Sequence, residues 1–408
     1  MRKISFFIFK IVIFLVMISS MHPWFIWSLN PLYYFAVLSI VLIFSSVLIS
    51  NFFSYTSEKI VIIFTLLVIV FLGASGKNLN GYVGKFLTFF PFIILLGLKK
   101  EYHQKLLSFC TILLAIILLP SMFFYLISLF VELPSLGKIS HPSNELYIFE
   151  NYFFFVKFVA EGDFPRFFSI FLEPSYLATG GAFVLVANDF NFKKKSVWII
   201  LVSSLLSLSL AGIVIIVIGY VLVKNFHHKL FVRKLSSTLT LLVVIFSLYI
   251  FAINFRGGNN AVNRLIFERL QYDPDKLISG NNRFSSGADS AFEYLLSNDY
   301  LWTGLPENIF SLEFDGSSIA GAGYKIFILY NGLFVVIAYF IFYLLITLQA
   351  KNKYIAFVFL FLVVITFLQA AYPWSGSWII PYILGISAYD QKKYKMENHN
   401  ALNQIYLK

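Results

Sequence analysis

The sequence is poor in cysteine and in charge. Its 408 residues include one cysteine, Cys110, so an intrachain disulfide is excluded. Charged residues make up 12% of the chain, whereas ordinary soluble domains carry about 25%. This deficit excludes a soluble globular protein, and the 59% share of hydrophobic residues indicates a polytopic membrane protein.

The scarcity of polar side chains also limits partners and cofactors. A net charge of +11 could suit nucleic acid, but the basic residues lie between apolar runs and do not cluster on one solvent-exposed face. The six histidines show no zinc spacing, and the glycine pairs lack the surroundings of a nucleotide-binding loop. The sequence therefore predicts no nucleic-acid partner, no metal and no cofactor.

Long apolar runs dominate what is present. A membrane span needs roughly 20 apolar residues, and by this rule we predict an all-α bundle with about twelve transmembrane helices. The predicted spans are approximately 4–21, 31–50, 60–76, 80–98, 106–130, 167–189, two short helices within 196–223, 235–255, 323–348, 354–370 and 377–390. The first run lacks a cleavage site and contains Lys10, so it is predicted to be a retained span. The two short helices should turn near Ser209–Gly212.

Basic residues predict the orientation of the chain. The three lysines at 193–195 and the basic connection at 224–234 indicate the cytoplasmic side by the positive-inside rule. Alternation from these segments places both termini in the cytoplasm. The prediction is then one transmembrane domain at 1–390, with large external loops at 131–166 and 256–318, and a cytoplasmic tail at 391–408.

The first external loop leads into the most polar of the predicted spans. Arg166 and Glu173 are seven residues apart, so both would lie on one side of a continuous helix. Ionisable residues within spans usually face a cavity and mark a functional path. Two interpretations remain open: a structural Arg–Glu pair at a helix end, or an arginine that binds phosphate beside a carboxylate that accepts a proton.

The second external loop contains a predicted helix. Ser286 or Asp289 can cap it, Gly304 and Pro306 end it, and the residues at helical spacing are Ala291, Tyr294, Leu295 and Asn298. Arg283 stands just before this helix, where it could bind a diphosphate together with Arg166, because guanidinium groups suit phosphate oxygens. The alternative is an ordinary basic residue on a solvated loop.

Three short motifs stand in order within the predicted two-loop topology. They are R-F-x-S-x-F-x-E-P-S at 166–175, R-F-S-S at 283–286 with N-D-Y-L-W-T-G-L-P at 298–306, and Y-N-G-L at 330–333. In these motifs and their order the chain resembles the O-antigen polymerase and ligase superfamily of bacterial envelope glycosyltransferases. Ligases of the superfamily carry a histidine before the late span, and the corresponding stretch here, A-G-A-G-Y-K at 320–325, has none, which favours a polymerase. The arginine–x10–glycine spacing of some polymerases is also missing.

The resemblance implies transfer of a glycan from undecaprenyl diphosphate to a sugar hydroxyl, outside the bacterial plasma membrane. Arg166 and Arg283 would neutralise the diphosphate leaving group, and Glu173 would be the candidate base. Tyr176 and Asn298, which lie beside or within these motifs, are further candidates for substrate binding. The implied partners are the lipid-linked glycan and the bilayer. A protein that regulates chain length is a further candidate partner.

A flippase for lipid-linked oligosaccharides is the competing hypothesis from another functional class. Such a transporter needs basic residues along a path through several spans. Here the lysines within predicted spans are Lys10, Lys85 and Lys325, whereas arginines gather in the outer loops. The placement of charge therefore favours the enzyme.

Overall fold

The computed structural model describes residues 2–74, 79–141, 144–159, 165–227, 243, 246–273, 277–278, 286–306, 309, 323–370 and 372–406. Most of these residues are helical. The helices are α1 (Arg2–Ser19), α2 (Pro31–Leu48), α3 (Ser57–Gly73), α4 (Leu79–Gly97), α5 (Lys100–Ser128), α6 (Pro174–Ala187), α7 (Lys195–Leu206), α8 (Leu210–His227), α9 (Ser286–Ser297), α10 (Tyr324–Gln349), α11 (Lys353–Gln369) and α12 (Gly376–Tyr406). Residues 246–254 are also helical.

Several of these helices suit a membrane. Within the described residues, four are long and apolar enough to cross one: α2, α4, α5 and α10. The shorter apolar helices are α6, α7, α11 and most of α8. The structure therefore supports a helical membrane protein. The prediction of about twelve crossings goes beyond these four helices and stays a prediction.

The block at 196–223 contains two short helices, as predicted, but the turn between them lies at Ser207–Ser209 and not at the predicted Ser209–Gly212. Helix α7 ends at Leu206 and α8 begins at Leu210. Leu208 between them adopts a positive φ of 48°, which lets the chain reverse within three residues. Helix α8 then packs closely on α6, because Gly212 has no side chain and faces Ala178, whose methyl group fills the space that a Cβ would need.

The start of helix α6 corrects the sequence prediction. The predicted span began at 167, but residues 165–173 are not helical and the helix begins at Pro174. Proline has no N–H to donate and disfavours helical geometry in the residue before it, so it suits the first position of a helix. Glu173 accordingly has extended backbone angles, with φ −139° and ψ 151°.

Contacts with distant segments hold the chain before α6 in its non-helical path. The Trp24 N–H donates to the Ile170 carbonyl at 2.9 Å, and the Val156 N–H donates to the Ser169 carbonyl at 2.9 Å. Ser169 itself has a positive φ of 58° and is fully buried. The extended path is therefore fixed by tertiary hydrogen bonds as well as by Pro174.

The segment predicted to be the first external loop contains strands, which the all-α prediction did not include, although the described residues are mostly helical. It contains a three-stranded antiparallel sheet, β1–β2–β3, formed by Lys138–His141, Asn144–Asn151 and Val156–Phe158. A second, two-stranded sheet pairs β4 (Tyr272–Asp273) with β5 (Leu277–Ile278). The larger sheet packs through Phe149 and Val156 against Trp27 and Phe168. These strands are short and lack a clear alternation of apolar and polar residues, which is the pattern that predicts a strand from sequence.

Gly304 and Gly332 bring the turn after α9 against helix α10. Helix α10 is interrupted at Gly332, which has φ 74° and ψ 170°. The turn after α9 fits into this break: a Cβ on Gly304 would lie 2.9 Å from the Gly332 nitrogen. The N–H groups freed by the break donate to the turn, from Leu333 to the Leu301 carbonyl at 2.9 Å and from Phe334 to the Trp302 carbonyl at 3.2 Å.

We expect Gly332→Ala to destabilise the protein by about 1–3 kcal/mol from backbone strain alone, because these angles are essentially restricted to glycine. The new Cβ would also collide with the Trp302 carbonyl oxygen. Thermal unfolding of the purified protein in detergent measures the effect. Gly84→Ala is the matched control, since its Cβ would make an ordinary contact of 3.8 Å with Leu32. Equal unfolding midpoints for the two variants would contradict the expectation.

The connections between helices gather at two ends of the bundle. At one end, Lys100 pairs with the buried Asp390 at 3.1 Å, and the Asn352 N–H donates to the same carboxylate at 2.9 Å. At the other end, the Ser377 N–H donates to the Ser20 hydroxyl at 2.9 Å. The first end collects segments predicted to be cytoplasmic and the second collects segments predicted to be external.

Candidate active site

Glu173 immediately precedes helix α6, at the end of the bundle that is predicted to be external. Nearly every residue of α6 is buried, and Glu173 is the half-buried residue immediately before its first turn. The Ser175 hydroxyl donates to Glu173 Oε2 at 2.8 Å. A carboxylate at a helix N-terminus is also favoured by the partial positive charge of the helix end. The side chain is therefore held in place, while part of it stays accessible.

His141, at the end of strand β1, belongs to the same region. Partial burial lowers the pKa of His141 below its ordinary value, and the negative charge of Glu173 acts in the opposite direction. The carboxylate therefore lies close enough for its charge to act on the imidazole. A neutral histidine beside a carboxylate can exchange hydrogen bonds with bound hydroxyl groups.

Five aromatic side chains whose rings carry an N–H or O–H group contact one another in sequence near Glu173, and we call them the ring series. They are Trp27, His141, His22, Tyr176 and Tyr372. The distances between successive ring centroids are 5.3, 6.2, 5.5 and 5.5 Å. The members come from four separate segments: the connection after α1, strand β1, the first turn of α6 and the connection before α12. The predicted binding residue Tyr176 thus lies at the site.

Sequence reasoning missed the other members of the ring series. His22, His141 and Tyr372 each stand directly before a proline, in a connection that follows or precedes a predicted span. An aromatic residue next to a proline at the end of a predicted span is a weak signal for His22 and Tyr372, but His141 lies within the 131–166 loop and has no such signal. Only the folded chain brings the three together.

Arg166 lies on the non-helical segment that leads to Glu173. Its guanidinium carbon is 5.9 Å from the centre of the Phe168 ring, within range of a cation–π interaction. The preceding residue is anchored, because the Tyr125 hydroxyl donates to the Pro165 carbonyl at 2.7 Å. Since 165–173 is not helical, the prediction that Arg166 and Glu173 share one face of a continuous helix is wrong.

Of the two candidate site residues predicted in the 256–318 loop, the structure describes Asn298 but not Arg283. Arg283 lies outside the described residues, so its pairing with Arg166 stays a prediction. Asn298 is exposed, and its side-chain amide donates to the Tyr294 carbonyl at 2.9 Å, where it caps the end of α9. This contact gives Asn298 a local structural role and does not bring it to Glu173.

Comparison with protein-family models, with curated proteins and with solved structures finds no match to this chain. Across the residues that the structure describes, no three His, Cys, Asp or Glu side chains gather as a metal site would require. The assignment of a function therefore rests on the chemistry of the site and on the motif resemblance.

Proposed function

We propose that this chain is a polymerase of undecaprenyl-diphosphate-linked oligosaccharide repeat units, for O-antigen, capsule or exopolysaccharide. It would act as a glycosyltransferase at the outer face of a bacterial plasma membrane, with about twelve spans and both termini in the cytoplasm. The observation that carries the proposal is the half-buried Glu173 at the open end of α6, with polar-edged rings beside it and Arg166 on the segment leading to it.

The proposed reaction assigns one step to each group. The oxygen of an acceptor hydroxyl attacks the anomeric carbon of the donor glycan, and a new C–O bond forms there. The bond from that carbon to the diphosphate oxygen breaks, and its electron pair leaves with the lipid diphosphate. Glu173 accepts the proton of the acceptor hydroxyl and later releases it to solvent. Arg166 offsets the charge that grows on the leaving oxygen.

The lysines within predicted spans support an enzyme over a flippase. Lys85 donates to the Gly73 carbonyl and to Asn331 Oδ1, and Lys325 pairs with Asp289 at 3.0 Å. Lys10 lies 4.4 Å from the centre of the Phe109 ring. Each lysine thus has a local structural partner, whereas a transport path for a diphosphate would direct such cations into a shared cavity.

Incubation of the purified protein in lipid nanodiscs with the lipid-linked repeat unit tests the proposal. The expected product is a ladder of glycans that differ by one repeat unit, separated on a gel or by mass spectrometry. Movement of the intact lipid across vesicle membranes without elongation would overturn the proposal in favour of a flippase. Transfer of preformed glycan to a lipid A acceptor without elongation would favour the ligase reaction of the same superfamily.

A further inference from the structure

The composition of the ring series is unusual for this chain. The sequence contains 49 phenylalanines, and phenylalanine pairs such as Phe7–Phe109 and Phe327–Phe367 pack between the described helices. The five members of the ring series include two of the six histidines and no phenylalanine, although Trp27 at its base also packs on Phe149, with ring centroids 5.2 Å apart. Every one of its rings carries an N–H or O–H group at its edge.

The geometry of the ring series keeps ring surface available. The angles between successive rings run from 37° to 73°, so no pair covers another face to face. His22 and Tyr372 are exposed, and His141 and Tyr176 are half-buried. Trp27 is 8% exposed and forms the base, where its indole N–H donates to the His22 carbonyl at 2.9 Å. The rings thus form a surface with a fixed base and accessible outer members.

The chemistry of this surface suits a sugar better than a phosphate. A pyranose presents an apolar C–H face, which stacks on aromatic rings, and hydroxyl groups at its edge, which pair with N–H and O–H groups. A phosphate instead requires cations, and partial burial lowers the pKa of His141, which favours its neutral form at pH 7. Ligand sites combine aromatic surface with a few placed polar groups, as this one does.

We propose that the ring series binds the acceptor glycan and presents its terminal hydroxyl to Glu173. This inference rests on the proposed polymerase function and adds a binding surface to it, with His22, His141 and Tyr372 as residues that touch the acceptor. Successive rings are spaced at about the length of one hexose along an oligosaccharide, so adjacent sugars can meet adjacent rings. The donor diphosphate, by contrast, would bind towards Arg166.

The test measures glycan binding and turnover separately. The probe is the repeat-unit oligosaccharide, one and two repeats long, released by mild acid from the lipid-linked substrate. Titration calorimetry with Tyr372→Leu and His141→Ala should show an affinity about threefold to tenfold weaker for each variant. Tyr33→Leu is the matched control, because Tyr33 is an exposed tyrosine in the first turn of α2, outside the series. Its affinity should equal that of the unaltered protein.

Two further variants separate ring contact from loss of folding. Tyr176→Phe keeps the ring and should retain most of the affinity, whereas Tyr176→Leu should lose it at an equal unfolding midpoint. In turnover assays the KM for the acceptor should rise while the KM for the lipid-linked donor stays unchanged. Unaltered glycan affinity in Tyr372→Leu and His141→Ala, or a rise confined to the donor KM, would overturn the inference.

The outcomes also distinguish this inference from the proposed function. If the protein forms a length ladder and the ring variants bind glycan with unaltered affinity, the proposed polymerase function is supported and the ring series is rejected as its acceptor site. Glycan binding that depends on the rings, in a protein that forms no ladder, would support the binding surface and reject the polymerase.

Discussion

Glu173→Gln is expected to lower polymer formation about 10²- to 10⁴-fold, the usual contribution of a general base. Glutamine has nearly the same shape, and its carbonyl oxygen can still accept the hydrogen bond that the Ser175 hydroxyl donates to Oε2 at 2.8 Å. The backbone at this position is fixed by Pro174, so the start of α6 should not change. The amide cannot accept a proton at neutral pH. Single-turnover rates with the lipid-linked repeat unit measure the loss.

The controls for Glu173→Gln decide between the two interpretations of this residue. Glu173→Asp keeps the base on a shorter side chain, and we expect it to retain more activity than the glutamine variant. Ser175→Ala removes the hydrogen bond but keeps the carboxylate, so its effect should be smaller still. Turnover of Glu173→Gln at the unaltered rate would remove Glu173 from the role of base. A loss of activity matched by a loss of thermal stability would instead assign it a structural role.

The long helices could be predicted from the sequence because their information is local. Apolar runs such as those of α2, α5 and α10 are long enough to predict a helix without knowledge of their neighbours. The two short helices α7 and α8 were also predictable, since a block of intermediate length stands between two basic flanks. Helix boundaries were less certain, and α6 shows why.

The start of α6 depends on both local and distant residues. Pro174 is a good first residue for a helix, so the sequence contained a signal that the helix begins there. The apolar residues before it suggested that the helix extends further back. Hydrogen bonds to Ile170 and Ser169, donated by Trp24 and Val156, decide the outcome. Hydropathy of the segment alone does not encode these partners.

The candidate site was predictable only where a motif marked it. Glu173 and Tyr176 lie within or beside a polar motif in an apolar chain, and both are at the site. His22 and His141 are 119 positions apart in the numbering, and their rings meet because strand β1 brings His141 to the connection after α1. An all-α prediction had no sheet to bring them together. The site is therefore assembled by tertiary structure and marked by sequence only in part.

The second and third motifs of the resemblance meet in the folded chain. The T-G-L-P stretch at 303–306 contacts Y-N-G-L at 330–333 through Gly304 and Gly332, and the Leu305 N–H donates to the Leu329 carbonyl at 2.8 Å. Because the turn after α9 is fixed to α10, the helix that follows Arg283 has a defined position. This junction gives a physical reason for both glycines.

Arg166→Ala is expected to reduce polymer formation about 10²- to 10³-fold, the range found when one group that stabilises a developing negative charge is removed. The reason lies in the leaving group, because a diphosphate needs positive charge as its bond to the sugar breaks. The segment that carries Arg166 is anchored independently, by the Tyr125 hydroxyl at the Pro165 carbonyl and by backbone hydrogen bonds at Ser169 and Ile170. The fold should therefore tolerate the change.

The form of the loss identifies what Arg166 does. Arg166→Lys keeps the charge but loses the forked geometry that binds two phosphate oxygens, so its activity should fall between those of the unaltered protein and the alanine variant. If Arg166 stabilises the departing diphosphate, the single-turnover rate at saturating donor falls, and the glycan affinity measured with the free oligosaccharide stays the same. A loss of glycan affinity with an unaltered rate at saturation would place Arg166 in the acceptor site. Normal chain length at a normal protein level would remove it from the mechanism, and the diphosphate would then require another cation, of which Arg283 is the first to test.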